Sequence, residues 1–158
     1  MSERRKRRLF RIGQGLAGIC AGLIVGLGHV GAAVKFTAQK PSTFELLDVG
    51  RVQFGALHLA ESVLVPVTVL LSLFGGRWHK VLALITLSCY LTKSLLVQPA
   101  LHDRMLQRLS GEVVRESNLH YQYIVTSAVL VLLLTALAFL DSEPAKESCP
   151  REQAEWAN

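Results

Sequence analysis

Residues 121–140 read YQYIVTSAVLVLLLTALAFL, and from Ile124 to Leu140 no side chain carries a charge. A soluble helix of this length shows a polar side, with apolar residues returning every three or four positions. Here they occupy almost every side. A helix of that kind is surrounded by lipid or by other helices, and at 1.5 Å per residue its length matches a hydrocarbon core of ~30 Å. The segment reads as a membrane span over 121–140, closed by Asp141-Ser142-Glu143-Pro144.

Three more apolar blocks precede it. The first, 12–34, follows the basic run Arg4 to Arg8 and is longer than the roughly 7 to 15 apolar residues of a signal peptide, so an uncleaved span is expected. The second covers 54–74. Ser42 and Glu45 ahead of it have the spacing of a capping box, Pro66 inside it predicts a kink, and Gly75-Gly76 ends it. The third, 79–97, is the most polar, with Thr86, Ser88, Tyr90, Thr92, Lys93 and Ser94, and is expected to face other helices. Pro99 is read as its end. In the connector to the last span, Leu101, Met105, Leu109 and Val113 recur at helical spacing among charges, as in a helix lying flat on a membrane. The tail 141–158 is polar and reads as disordered.

These segments predict an all-α fold, an integral membrane four-helix up-and-down bundle over 12–140, with residues 1–11 as a basic leader. The formal charge of +5 does not argue for nucleic acid, because six of the seventeen Lys and Arg lie in the first eleven residues. Counting Lys and Arg in the loops with the N-terminus inside gives ten on the cytoplasmic side and six outside, with Lys93 within a span. Both ends are then cytoplasmic. The leader also suits anionic lipid headgroups. Three scattered cysteines predict no disulfide, and Cys-x-x-Cys, phosphate-loop and His-Glu-x-x-His motifs are absent, so a non-enzymatic protein is expected.

Two constellations stand out. Gly18, Gly22 and Gly26 repeat every four residues on the first span, a spacing that lets another helix come close, either a second copy of the chain or one of its own helices. On the second span Arg51, Phe54, His58, Glu61 and Val65 share one side. Glu61 lies about seven residues, ~10 Å, below Phe54, where an ionised carboxylate must be protonated, paired or watered. Lys93 lies ~6 Å below the end of the third span, free to snorkel outward or to meet Glu61, since their depths differ by only ~4 to 5 Å. Tyr90 and Thr86 share its face. His29, His120, Tyr123 and Ser127 come in at similar depth, while Tyr121 and Tyr123, with Trp78 at the opposite side, read as interfacial anchors.

This polar cluster admits three readings. Glu61, His58, Lys93 and Tyr90 handle a small polar ligand or protons; the same residues fix helix packing; or His29, His58 and His120 ligate a haem or a metal ion. The expectation is no cofactor, with haem or metal as the alternative. A proton-coupled transport component would normally show internal repeats, and none is visible.

Phe54-Gly55 with His58 and Pro66, Gln98-Pro99-Ala100-Leu101 with Arg104, and Leu119-His120 resemble an uncharacterised four-helix membrane protein family of bacteria, related to eukaryotic transmembrane protein 205. The likeness covers most of 13–140. It departs where the family often has Gln and an aromatic before the proline, positions held here by His58 and Leu64-Val65. The resemblance implies a multi-pass protein of the bacterial inner membrane with the same fold, and it implies no reaction. The partners expected are the lipid bilayer and a homo-oligomer or membrane protein partner.

Overall fold

A computed structural model describes residues 1–34, 37, 43–112 and 117–140. Ser42 of the expected capping box, Val113, loop cations Lys35, Lys40 and Arg115, and the tail read as disordered all lie outside the described residues. Apart from short turns and the helix ends, the described residues are helical. Four helices, α1 (Glu3–Val34), α2 (Thr43–Ser72), α3 (Arg77–Leu109) and α4 (Leu119–Phe139), are joined in series, and no strand occurs among the described residues. All four are long and apolar enough to cross a membrane, so the chain is a multi-pass membrane protein. Each helix packs on two neighbours in the cyclic order α1, α2, α3, α4.

What faces outward follows from the composition. Ile19, Leu59, Leu84, Leu132 and Phe139 are all more than half exposed on the isolated chain, a belt of carbon that water would not tolerate at this extent and lipid does. The interior is made by one side of each helix: Ala17, Cys20 and Ile24 from α1, Leu57 and Val65 from α2, Ala83 from α3, Leu130 and Leu134 from α4.

Close approach is made where glycine leaves room. A Cβ on Gly13 would stand 2.8 Å from the Cβ of Leu71, so α1 and α2 touch there because Gly13 has none. Gly75 serves the same end in the α2–α3 turn: its N–H donates to the Ser72 carbonyl at 3.0 Å, and a Cβ on it would meet the Phe10 ring at 2.6 Å. Phe10 in turn packs edge-on against His79, ring centroids 4.5 Å apart.

That contact belongs to a polar latch that closes the end of the bundle nearest the N-terminal leader, here the leader end. His79 is buried, and its Nε2 lies 3.0 Å from the carbonyl of Leu140, a bond that only the Nε2–H form donates. Gln14 Nε2 donates to the same carbonyl at 2.9 Å. Two helices, α1 and α3, are thereby tied to the C-cap of α4, a backbone acceptor that would otherwise have no helical partner.

At the opposite, distal end two helices widen. Ile24–Val30 of α1 and Lys93–Val97 of α3 are π-helical, with N–H groups bonding five residues back, Gly31 to Gly26 and Gln98 to Lys93. A π-turn loosens the carbonyl ladder, and α1 fills its openings from side chains: Gln53 Nε2 of α2 donates to the Leu27 carbonyl, and His29 Nδ1 lies 3.2 Å from that of Ile24.

The second π-turn also corrects the expected end of the third helix. Pro99 does not stop it; the helix runs on to Leu109 with Pro99 in the first turn after the π segment, where a residue without an N–H is tolerated. Pro66 likewise lies within α2, which is continuous around it.

Candidate functional site

The distal half of the bundle holds its charged interior. On α2 the buried side runs Phe54, Leu57, Glu61, Val65 and Thr68, a spacing of three and four that points one face at the centre. On α3 the corresponding face is Ala83, Thr86, Tyr90, Lys93 and Val97. The two faces oppose each other, and their charges meet. Lys93 Nζ donates to Glu61 Oε1 at 2.6 Å, with both residues 1 % exposed. Of the two courses open to Lys93, snorkelling and pairing, the structure takes pairing.

α4 covers the pair. The Lys93 ammonium stands 4.8 Å from the centroid of the Tyr123 ring, a cation–π arrangement, and Tyr123 meets Phe54 edge-on at 5.4 Å. Tyr123 is therefore part of the site, whereas Tyr121 is 69 % exposed and keeps an anchor's position. Of the two readings of Tyr123, cluster member and interfacial anchor, the structure takes the first: residues two apart on a helix point nearly opposite ways, so with Tyr121 outward Tyr123 turns inward. Ser127, one turn along from Tyr123, is buried beside it.

The other residues singled out in the sequence distribute as follows. Tyr90 is buried one turn before Lys93, and Thr86 donates its hydroxyl to its own helix at Leu82. His58 sits beside the buried stripe of α2, half-buried, with Nδ1 enclosed and unpartnered. Arg51 leaves the stripe to pair with Asp48 at 2.8 Å near the surface. His29 is turned onto its own helix, and His120 is exposed at the start of α4. Among the described residues no three His, Cys, Asp or Glu side chains are grouped to hold a metal ion.

Gly18, Gly22 and Gly26 look outward. A Cβ on Gly22 or Gly26 would meet nothing within 4 Å among the described residues, and one on Gly18 would only graze the Cβ of Ala138 at 3.9 Å. The intramolecular close contacts are made by other glycines, Gly13, Gly28, Gly31 and Gly75.

Chemically, the arrangement is an ion pair enclosed by aromatic rings and hydrocarbon. Either charge alone in the bilayer interior would cost several kcal/mol, roughly 2.5–3.5 on insertion scales, and pairing removes most of that penalty by neutralising both at once. The geometry defines an all-helical membrane protein with a clamped, charged core. No family model, curated protein or solved structure matches this chain.

Proposed function

We propose that this chain is a non-enzymatic membrane protein that organises an oligomer or a membrane protein partner, using a bundle held rigid by the Glu61–Lys93 clamp. The observation carrying this reading is that the two charges satisfy each other inside the protein, at 2.6 Å and 1 % exposure, leaving neither poised for a substrate. A clamp of this kind fixes which faces of α2 and α3 turn inward, and so which faces the bundle offers outward. The outward Gly18, Gly22 and Gly26 row is the surface where a second copy approaches, since helix association in lipid relies on close packing at small residues. The charge bias of the loops supports a cell-membrane orientation with both termini cytoplasmic. The likeness to the bacterial family makes the inner membrane the compartment we propose.

The test is the mass of the protein–detergent complex, by light scattering, for the parent chain and Gly22→Leu. The parent is expected to run as two copies or more and the variant as one, with equal thermal stability. A parent that is monomeric, or a variant that assembles unchanged, contradicts the seam.

A second reading is favoured by one observation. His58 Nδ1 is an enclosed polar atom without a hydrogen-bond partner, one turn before Glu61 on α2. Such an atom suits a water or a proton path, with Glu61 and Lys93 as its charged members.

A further inference from the structure

Beyond the ion pair, at the distal end of the bundle, lies a cavity of about 280 Å³ between α1, α2, the last turns of α3 and the first turn of α4. Its walls are almost wholly carbon: Phe54 from α2, Leu101 and Met105 from α3, and Leu119 from α4. Its polar lining includes Arg108 and His120, which make no ion pair or side-chain hydrogen bond among the described residues. Arg104 lines it too and is already engaged within the chain. Neither Glu61 nor Lys93 contributes to it.

We infer that this cavity binds a single-chain anionic amphiphile, with its hydrocarbon chain between Phe54, Leu101, Met105 and Leu119 and its carboxylate or phosphate head on Arg108 and His120. The division of the lining carries the argument. A carbon-walled slot takes a chain out of water without desolvating any polar group, while a guanidinium and an imidazole N–H match an anionic head through charge-assisted hydrogen bonds. A cationic head would be repelled by Arg108, and a neutral one would gain nothing from its charge. The volume lies just under the usual range of roughly 300–1,000 Å³ for ligand pockets, which suits one chain better than the two of a phospholipid. The position suits it as well: α3 beyond Pro99 carries Leu101 and Met105 on the side toward the bundle and exposes Asp103 and Gln107 on the other, the pattern of a helix at a water boundary.

The experiment is thermal unfolding of the full chain in nanodiscs of zwitterionic lipid, titrated with decanoate, decyl phosphate, decanol, decyltrimethylammonium and inorganic phosphate. A ligand that binds the folded state raises the midpoint in a saturable way. Decanoate, decyl phosphate or both are expected to do so, the stronger naming the head group, while the other three additives are expected to leave it unchanged. Arg108→Gln with His120→Gln, both at exposed positions, is expected to weaken the apparent affinity by roughly tenfold or more. Met105→Trp, which fills the slot, is expected to remove the response. Equal stabilisation by decanol or by inorganic phosphate, or an unchanged response in the Arg108 and His120 variant, overturns the assignment.

Discussion

Lys93→Met is expected to destabilise the bundle by about 3–5 kcal/mol, and Glu61→Gln by a similar amount, measured by unfolding in detergent or lipid. Each substitution leaves its former partner buried in an apolar interior. Lys93 without Glu61 must lose its proton or draw water to itself, and Glu61 without Lys93 must gain one. Insertion scales put a single charge at the centre of a membrane helix at roughly 2.5–3.5 kcal/mol, and the loss of one partner from a buried pair in soluble proteins falls in the same range. Two independent lines thus meet near 3 kcal/mol, a large share of the 5–15 kcal/mol that holds a typical domain together. Tyr123→Leu, which removes the ring beside the ammonium and its edge contact with Phe54 but leaves the ion pair, is expected to cost less, about 1–3 kcal/mol for the two ring contacts together.

The second large effect is steric and lies at the other end of the molecule. Gly13→Leu places a branched side chain where even a single Cβ would come within 2.8 Å of Leu71 Cβ and 3.4 Å of the Leu71 backbone carbon. Neither neighbour is the loose end of a flexible chain, so α1 and α2 must separate. The opening would reach Phe10 and Gln14 on either side of Gly13, and with them the bonds to Leu140. Overpacking of this kind typically costs about 1–3 kcal/mol, and disruption of the latch adds to it. Unfolding of this variant beside Gly22→Leu makes the comparison internal. At Gly22 nothing stands within 4 Å, so that change should be felt by a partner and not by the fold. Equal destabilisation at the two positions would contradict the helix arrangement.

Most of the fold was legible in the sequence because lipid imposes a coarse demand. A helix without a polar side has nowhere else to go, and four such runs separated by glycine, proline and charge leave little choice of architecture. The helix ends were less legible. Pro99 looked like a stop because an ordinary helix loses a hydrogen bond there; a π-turn just before it, which no sequence rule announces, lets the helix continue.

In the site, matched depths on antiparallel helices were enough to bring Glu61 and Lys93 within reach of each other. Depth also placed Tyr123 with the cluster, but not the use of its ring as a cover over the ammonium, which depends on how α4 is rotated. His79 was invisible for a different reason. Its partner is the main-chain carbonyl of Leu140, sixty-one positions away, and a carbonyl has no sequence identity to recognise. Glycine spacing, in turn, says which residues share a face and not what stands opposite. Gly18, Gly22 and Gly26 were therefore open to either reading, and the contacts of Gly13 with Leu71 and of Gly75 with Phe10 had no motif to mark them.

The decisive measurement is the stability of Glu61→Met with Lys93→Met together, set against each single change. A clamp predicts strong compensation. Methionine fills similar volume without charge, so the double variant should unfold within about 1 kcal/mol of the parent, while each single variant loses about 3 kcal/mol or more. The double variant should also keep the assembly of the parent. If it is destabilised by at least the sum of the two singles, or keeps full stability while losing assembly, the charges themselves are doing something beyond holding α2 to α3, and the clamp is the wrong account of the pair.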